Sequence, residues 1–82
     1  MGNYPNPFNP ATTIVFNLPF ASDAKLEVYN ILGQRVATLV DEYLNSGEYS
    51  FEWDGSNVAS GLYLYRLTTN EFSTTQQMVL MK

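Results

Sequence analysis

NYPNPFNPATTIVFNLP, from Asn3 to Pro19, joins two opposed kinds of chain. Pro5, Pro7 and Pro10 fall within six positions, two of them preceded by asparagine. Each proline fixes its own φ and pushes the residue before it out of the helical region, so Tyr4 to Asn9 is expected to be extended and irregular. Thr12-Thr13-Ile14-Val15-Phe16-Asn17-Leu18 follows at once, β-branched and aromatic, with Ile14, Phe16 and Leu18 alternating onto one face. The stretch therefore reads as a stiff lead-in (residues 1–11) running into the first strand of an all-β module (residues 12–82). An ordinary proline-rich boundary would look the same locally.

The rest of the chain continues as strand and turn. Leu26 and Val28 alternate with Lys25 and Glu27, Asn30 to Gln34 reads as a hairpin turn around Gly33, and Arg35 to Asp41 is the returning strand. Val36, Leu39, Val40 and Tyr43 also fit a helical spacing, so strand followed by loop competes with a helical turn at Glu42 to Leu44. Asn45-Ser46-Gly47 is a second turn. Glu48 to Trp53 alternates most cleanly, with Tyr49, Phe51 and Trp53 on one face and Glu48, Ser50 and Glu52 on the other. After the turn Asp54-Gly55-Ser56-Asn57, Gly61 to Thr68 puts Tyr63, Tyr65 and Leu67 on one face, and Thr69-Asn70-Glu71 turns into a last strand, Phe72 to Met81. Short strands about ten residues apart indicate a small antiparallel sandwich.

Composition narrows the function. One domain of 82 residues without cysteine has neither disulfide staples nor a thiolate. A chain of this size buries only about 60% of its unfolded surface, so five Phe, six Tyr and one Trp must fill the core. Eight acidic and four scattered basic residues (Lys25, Arg35, Arg66, Lys82) give a net charge of −4, which argues against nucleic acid and against an anionic membrane surface as partners. No apolar run reaches the roughly 20 residues that span a bilayer. No signal peptide precedes the proline block, so the chain reads as a fragment produced without its natural N-terminal partner rather than as a cytosolic protein, with Met1-Gly2 as expression-derived residues.

With no His and no Cys, nucleophile–histidine pairs and His-ligated metal sites are excluded. Carboxylate pairs remain at Asp41-Glu42 and at Glu52 with Asp54, but a glycosidase needs a sugar-holding cleft between them, for which an aromatic-filled domain of this size has little room. The oxygens of Asp54-Gly55-Ser56-Asn57 could hold calcium, yet a tight turn requires the same residues. Tyr43, Tyr63 and Tyr65 could stack on sugar rings, while the core competes for them. Gly61-Leu62-Tyr63 is similar to the tyrosine corner of immunoglobulin-like sandwiches, in which the hydroxyl ties down a loop. The expectation is a protein that is not an enzyme and carries no cofactor.

Tyr4 to Pro19 resembles, almost letter for letter, the opening of the C-terminal sorting domain of the type IX secretion system, type A. The likeness continues through Val28 to Gln34, Trp53-Asp54-Gly55 and Ser60-Gly61-Leu62-Tyr63 to Met78-Val79-Leu80-Met81-Lys82. It implies an immunoglobulin-like β-sandwich of about seven strands at the end of an exported passenger protein. The implied partners are the outer-membrane translocon and a sortase, and the implied route is through the periplasm to the cell surface or medium. Under this resemblance the recognition residues are Val79, Leu80, Met81 and Lys82, offered by β-strand addition, with Gly61 and Tyr63 shaping the neighbouring turn. Family members commonly carry Lys or Arg just before the Met-Val-Leu run, where this chain has Gln77.

A weaker likeness, through Trp53-Asp54-Gly55 and Gly61-Leu62-Tyr63, is to the immunoglobulin-like domain of flagellar hook-capping proteins. The functional alternative is an accessory sandwich, carbohydrate-binding or tethering, of a larger extracellular enzyme. An edge strand as apolar as Met78 to Met81 also offers a route to a homodimer.

Overall fold

The computed structural model describes residues 1–82 as seven strands and no helix. They are β1 (Gly2–Tyr4), β2 (Ala11–Leu18), β3 (Ser22–Asn30), β4 (Arg35–Leu44), β5 (Gly47–Asp54), β6 (Gly61–Thr69) and β7 (Ser73–Leu80). One sheet has the order β1-β2-β5 and the other β4-β3-β6-β7, with every ladder antiparallel. The hairpins β3–β4 and β6–β7 lie in the four-stranded sheet, β1 pairs with β2 in the other, and the chain changes sheet between β2 and β3, between β4 and β5, and between β5 and β6. This is the expected immunoglobulin-like sandwich.

Alternation decides the core. Ile14, Phe16 and Leu18 of β2, Leu26 and Val28 of β3, Tyr63, Tyr65 and Leu67 of β6, and Met78 and Leu80 of β7 are all buried between the sheets. β4 departs from the expected strand and loop, because it stays extended to Leu44 and pairs with β3 as far as Ser22. Main-chain pairing with a neighbouring strand outweighs the helical spacing of Val36, Leu39, Val40 and Tyr43. On β5 only Trp53 is fully buried. Tyr49 and Phe51 are half-covered at the sheet edge, where their rings stack on Phe16 at 5.6 and 5.9 Å between centroids.

The proline block holds the main surprise. Pro5 to Asn9 is irregular as expected, yet the block packs into the sandwich: Gly2–Tyr4 is a strand on β2, and Phe8 is 1% exposed within the core. Between them the chain leaves the three-stranded sheet, crosses to β7 of the other, and returns to start β2 at Ala11. The peptide bonds before Pro5, Pro7 and Pro10 are cis. Thr12 ties the crossing down, its hydroxyl donating to Pro5 O at 2.9 Å and accepting from Asn3 Nδ2 at 3.1 Å. No buried side-chain nitrogen or oxygen lacks a partner.

Candidate recognition site at one end of the sandwich

Four segments meet where β7 ends: the proline block, the β3–β4 turn, the loop from Gly55 to Ser60, and Val79 to Lys82. Phe8 forms a parallel bridge with Leu80, its N–H donating to Val79 O at 2.9 Å while its carbonyl accepts from Met81 N–H at 2.8 Å. Asn6 Oδ1 accepts from Val79 N–H at 3.0 Å. The outward main-chain groups of Val79 and the N–H of Met81 are thus occupied by the lead-in. Strand addition along Val79–Lys82, the expected mode of recognition, meets an edge that is already covered. By the alternation of antiparallel ladders, the outward groups of Ser73, Thr75 and Gln77 remain at the open edge of β7.

The inner side of this end is aromatic. Trp53 meets Phe8 edge-on at 5.7 Å and Tyr63 edge-on at 5.2 Å. The Tyr63 hydroxyl donates to Ala59 O at 2.6 Å, which is the loop-fastening expected of a tyrosine corner. Gly55 lies so close to Leu80 that a Cβ there would sit 2.9 Å from a Leu80 methyl, and its N–H donates to Pro10 O at 2.9 Å. Gly61 has φ +146 with open space around it, so the backbone conformation, rather than crowding, requires glycine.

Charge plays a supporting part. The Lys82 ammonium donates to Ser56 O at 3.0 Å and to Val58 O, fastening the end of the chain to the Gly55–Ser60 loop. Asp54 accepts from Ser56 Oγ at 2.7 Å and Ser56 N at 2.9 Å, and these bonds, with a smaller contribution from Lys82, hold its carboxyl below the ordinary range. The turn chemistry expected of Asp54-Gly55-Ser56-Asn57 is present. On the outer face of the four-stranded sheet, burial pushes Glu27 up. The hydrogen bond from Tyr29 (2.9 Å) and the ion pair with Arg35 (3.3 Å) outweigh it and leave the carboxyl lowered. The same bond to Glu27 raises the Tyr29 phenol, over whose ring Arg66 lies at 5.2 Å.

Of the residues expected from the sequence, the fold brings Gly61, Tyr63, Val79, Leu80, Met81 and Lys82 to this one end. Leu80 and Tyr63 are buried, Val79 is half-buried, and Gly61, Met81 and Lys82 are exposed. Two of the three tyrosines considered for sugar stacking, Tyr63 and Tyr65, face inward, and only Tyr43 stands in solvent. The sequence reading passed over Asn6 and Phe8, although an aromatic residue among prolines is a signal of a buried anchor. It also gave no role to Ile31 and Leu32, an aliphatic pair placed in the hairpin turn and in the family likeness.

The fold defines a small immunoglobulin-like sandwich whose most elaborate construction is the fastening of Val79–Lys82. In comparison with known families, residues 3–81 match the secretion system C-terminal sorting domain, and the chain belongs to that family. No curated protein and no solved structure matches it. The likeness to hook-capping domains finds no support. Domains of this family are the C-terminal sorting signals of the type IX system. They are not catalytic, they interact with the secretion machinery as part of a passenger protein, and they direct that passenger across the outer membrane to the cell surface or the medium.

Proposed function

We propose that the outer-membrane translocon reads this domain in its folded form, at the end of the sandwich where β7 finishes. The passenger would reach the periplasm first, and a sortase would act after docking. Gly61, Met81 and Lys82 are the displayed part of the surface, while Tyr63, Val79 and Leu80 hold it in place. The observation that carries this reading is the fastening of Val79–Lys82 to the proline block and to the Gly55–Ser60 loop, which makes a chain end into a fixed feature. A fixed surface binds without the entropic cost of ordering a flexible tail.

The test is a reporter with a signal peptide and residues 3–82 at its C-terminus, expressed in a type IX-competent strain and in its translocon-null counterpart. Export from the first alone, lost on removal of Met81-Lys82, supports the reading; full export of the truncated fusion refutes it. In the same assay Gln77→Lys tests the usually basic position, and a gain in export would assign that charge to docking. A homodimer through β7 would be confined to Ser73–Gln77, the stretch the lead-in leaves open. A monomer over a hundredfold concentration range in sedimentation would exclude it.

A further inference from the structure

The turn between β3 and β4 is rigid and yet apolar at its tip. Asn30 Oδ1 accepts from Leu32 N at 3.0 Å and from Gln34 N at 3.1 Å, and its amide donates to Gln34 Oε1 at 2.9 Å. Asn30 N also donates to Gln34 O, and Gly33 N to Asn30 O, both at 3.0 Å, with Gly33 at φ 82. On this frame Ile31 is 69% and Leu32 78% exposed. Folding has no use for two aliphatic side chains in water. A tightly bonded turn that presents them gives a partner apolar anchors already in position.

They are not isolated. Ile31 and Leu32 line a shallow groove with Gly61 and Leu62, on the same end as Met81. Charge is segregated along the molecule in the same sense. Asp23, Asp41, Glu42, Glu48 and Glu71 lie toward the opposite end and Glu27 is paired with Arg35, whereas the segments 30–35, 55–63 and 78–82 carry no acid and leave Lys82 as the cation without a carboxylate partner. Asp54, at the rim, has its carboxylate committed to Ser56.

We propose that Ile31 and Leu32, with Leu62 and Met81 beside them, are the apolar anchors by which the domain docks on a protein component of the export machinery. The fitting surface on that partner is apolar with a carboxylate at its rim, complementary to Lys82. A lipid surface fits less well, because one cation without a carboxylate partner, on a chain of net charge −4, falls short of the cluster of basic residues that anionic membranes select. The inference rests on the reading of this end as the recognised one, and widens it from the chain terminus to a turn about fifty residues earlier in sequence.

The variant Ile31→Ser/Leu32→Ser separates docking from folding, since both side chains are already in solvent. Its melting temperature is expected to match the parent, while export of the reporter fusion falls by about tenfold or more. Ile31→Leu/Leu32→Ile, which keeps the apolar surface, is expected to export normally. Unchanged export of the serine variant overturns the inference, and if truncation of Met81-Lys82 still abolishes export, the terminal reading survives alone. Loss of export in the serine variant with the truncated fusion still exported refutes the terminal reading and leaves the turn as the docking element. Sedimentation of the purified domain with phosphatidylglycerol vesicles, lost in the serine variant, would replace the protein partner by a membrane and overturn the proposal.

Discussion

Replacing Phe8 by alanine is the sharpest test of whether the proline block belongs to the fold. Phe8 is buried, contacts Trp53 edge-on, and bridges to Leu80. Returning a fully buried aromatic side chain to water costs about 2–3 kcal/mol, and losing an edge-on aromatic partner costs about 0.5–1.5 kcal/mol more. With the cavity left behind, a total of about 3–5 kcal/mol is expected, in line with other buried Phe→Ala changes. A domain of this size has about 4–12 kcal/mol of stability in all, so the loss is a large fraction of it. In urea titrations of the isolated domain the midpoint should fall accordingly, and the melting temperature should drop by about 12–40 °C. If the lead-in were merely a tether, Phe8→Ala would change stability by no more than about 0.5 kcal/mol. A measured loss below about 1 kcal/mol refutes the reasoning. Asn6→Ala provides the graded companion: Val79 N–H is near solvent and can turn to water, so about 0.5–1 kcal/mol is expected.

Three further outcomes follow from the same end of the molecule and from the outer sheet. Gly55→Ala drives a methyl against buried Leu80 and should cost about 1–3 kcal/mol in chemical denaturation, with amide shifts concentrated at Val79–Lys82. Tyr63→Phe removes only the bond to Ala59 O and should cost about 1 kcal/mol while speeding hydrogen exchange in the Ala59–Gly61 loop. For pH, the lowered carboxyls of Glu27 and Asp54 bind protons more weakly folded than unfolded. Their contribution is therefore complete above the ordinary carboxylate range, about pH 4, and is lost as pH falls through the folded values. Thermal melts between pH 2 and 6 should show this loss, and Glu27→Gln should flatten the profile. An identical profile in the variant would exclude Glu27 as a contributor.

Most of the sandwich was legible because a strand with one buried face must alternate. Ile14, Phe16 and Leu18, or Tyr63, Tyr65 and Leu67, record in one dimension which side faces the core. The turns were legible because Gly33, Gly47 and Gly61 supply positive φ and Asp54 supplies an acceptor to its own turn. The tyrosine corner was legible because donor and acceptor lie four residues apart, within reach of a local pattern. β4 was misread beyond Asp41 because a periodicity of apolar residues does not reveal which neighbour will pair with the main chain.

Phe8 and Val79, or Asn30 and Tyr63, are distant in sequence, and nothing in the composition of either member announces the other. Local chemistry settled that this chain is all-β, that it lacks the groups for histidine or cysteine catalysis, and where it turns. The tertiary structure alone decided that the proline block closes the edge of β7. It alone brought the β3–β4 turn, Gly61 and the last two residues onto one surface. The physical reason is that side-chain alternation is a property of a single strand, whereas edge coverage and surface composition depend on which strands the hydrophobic core draws together.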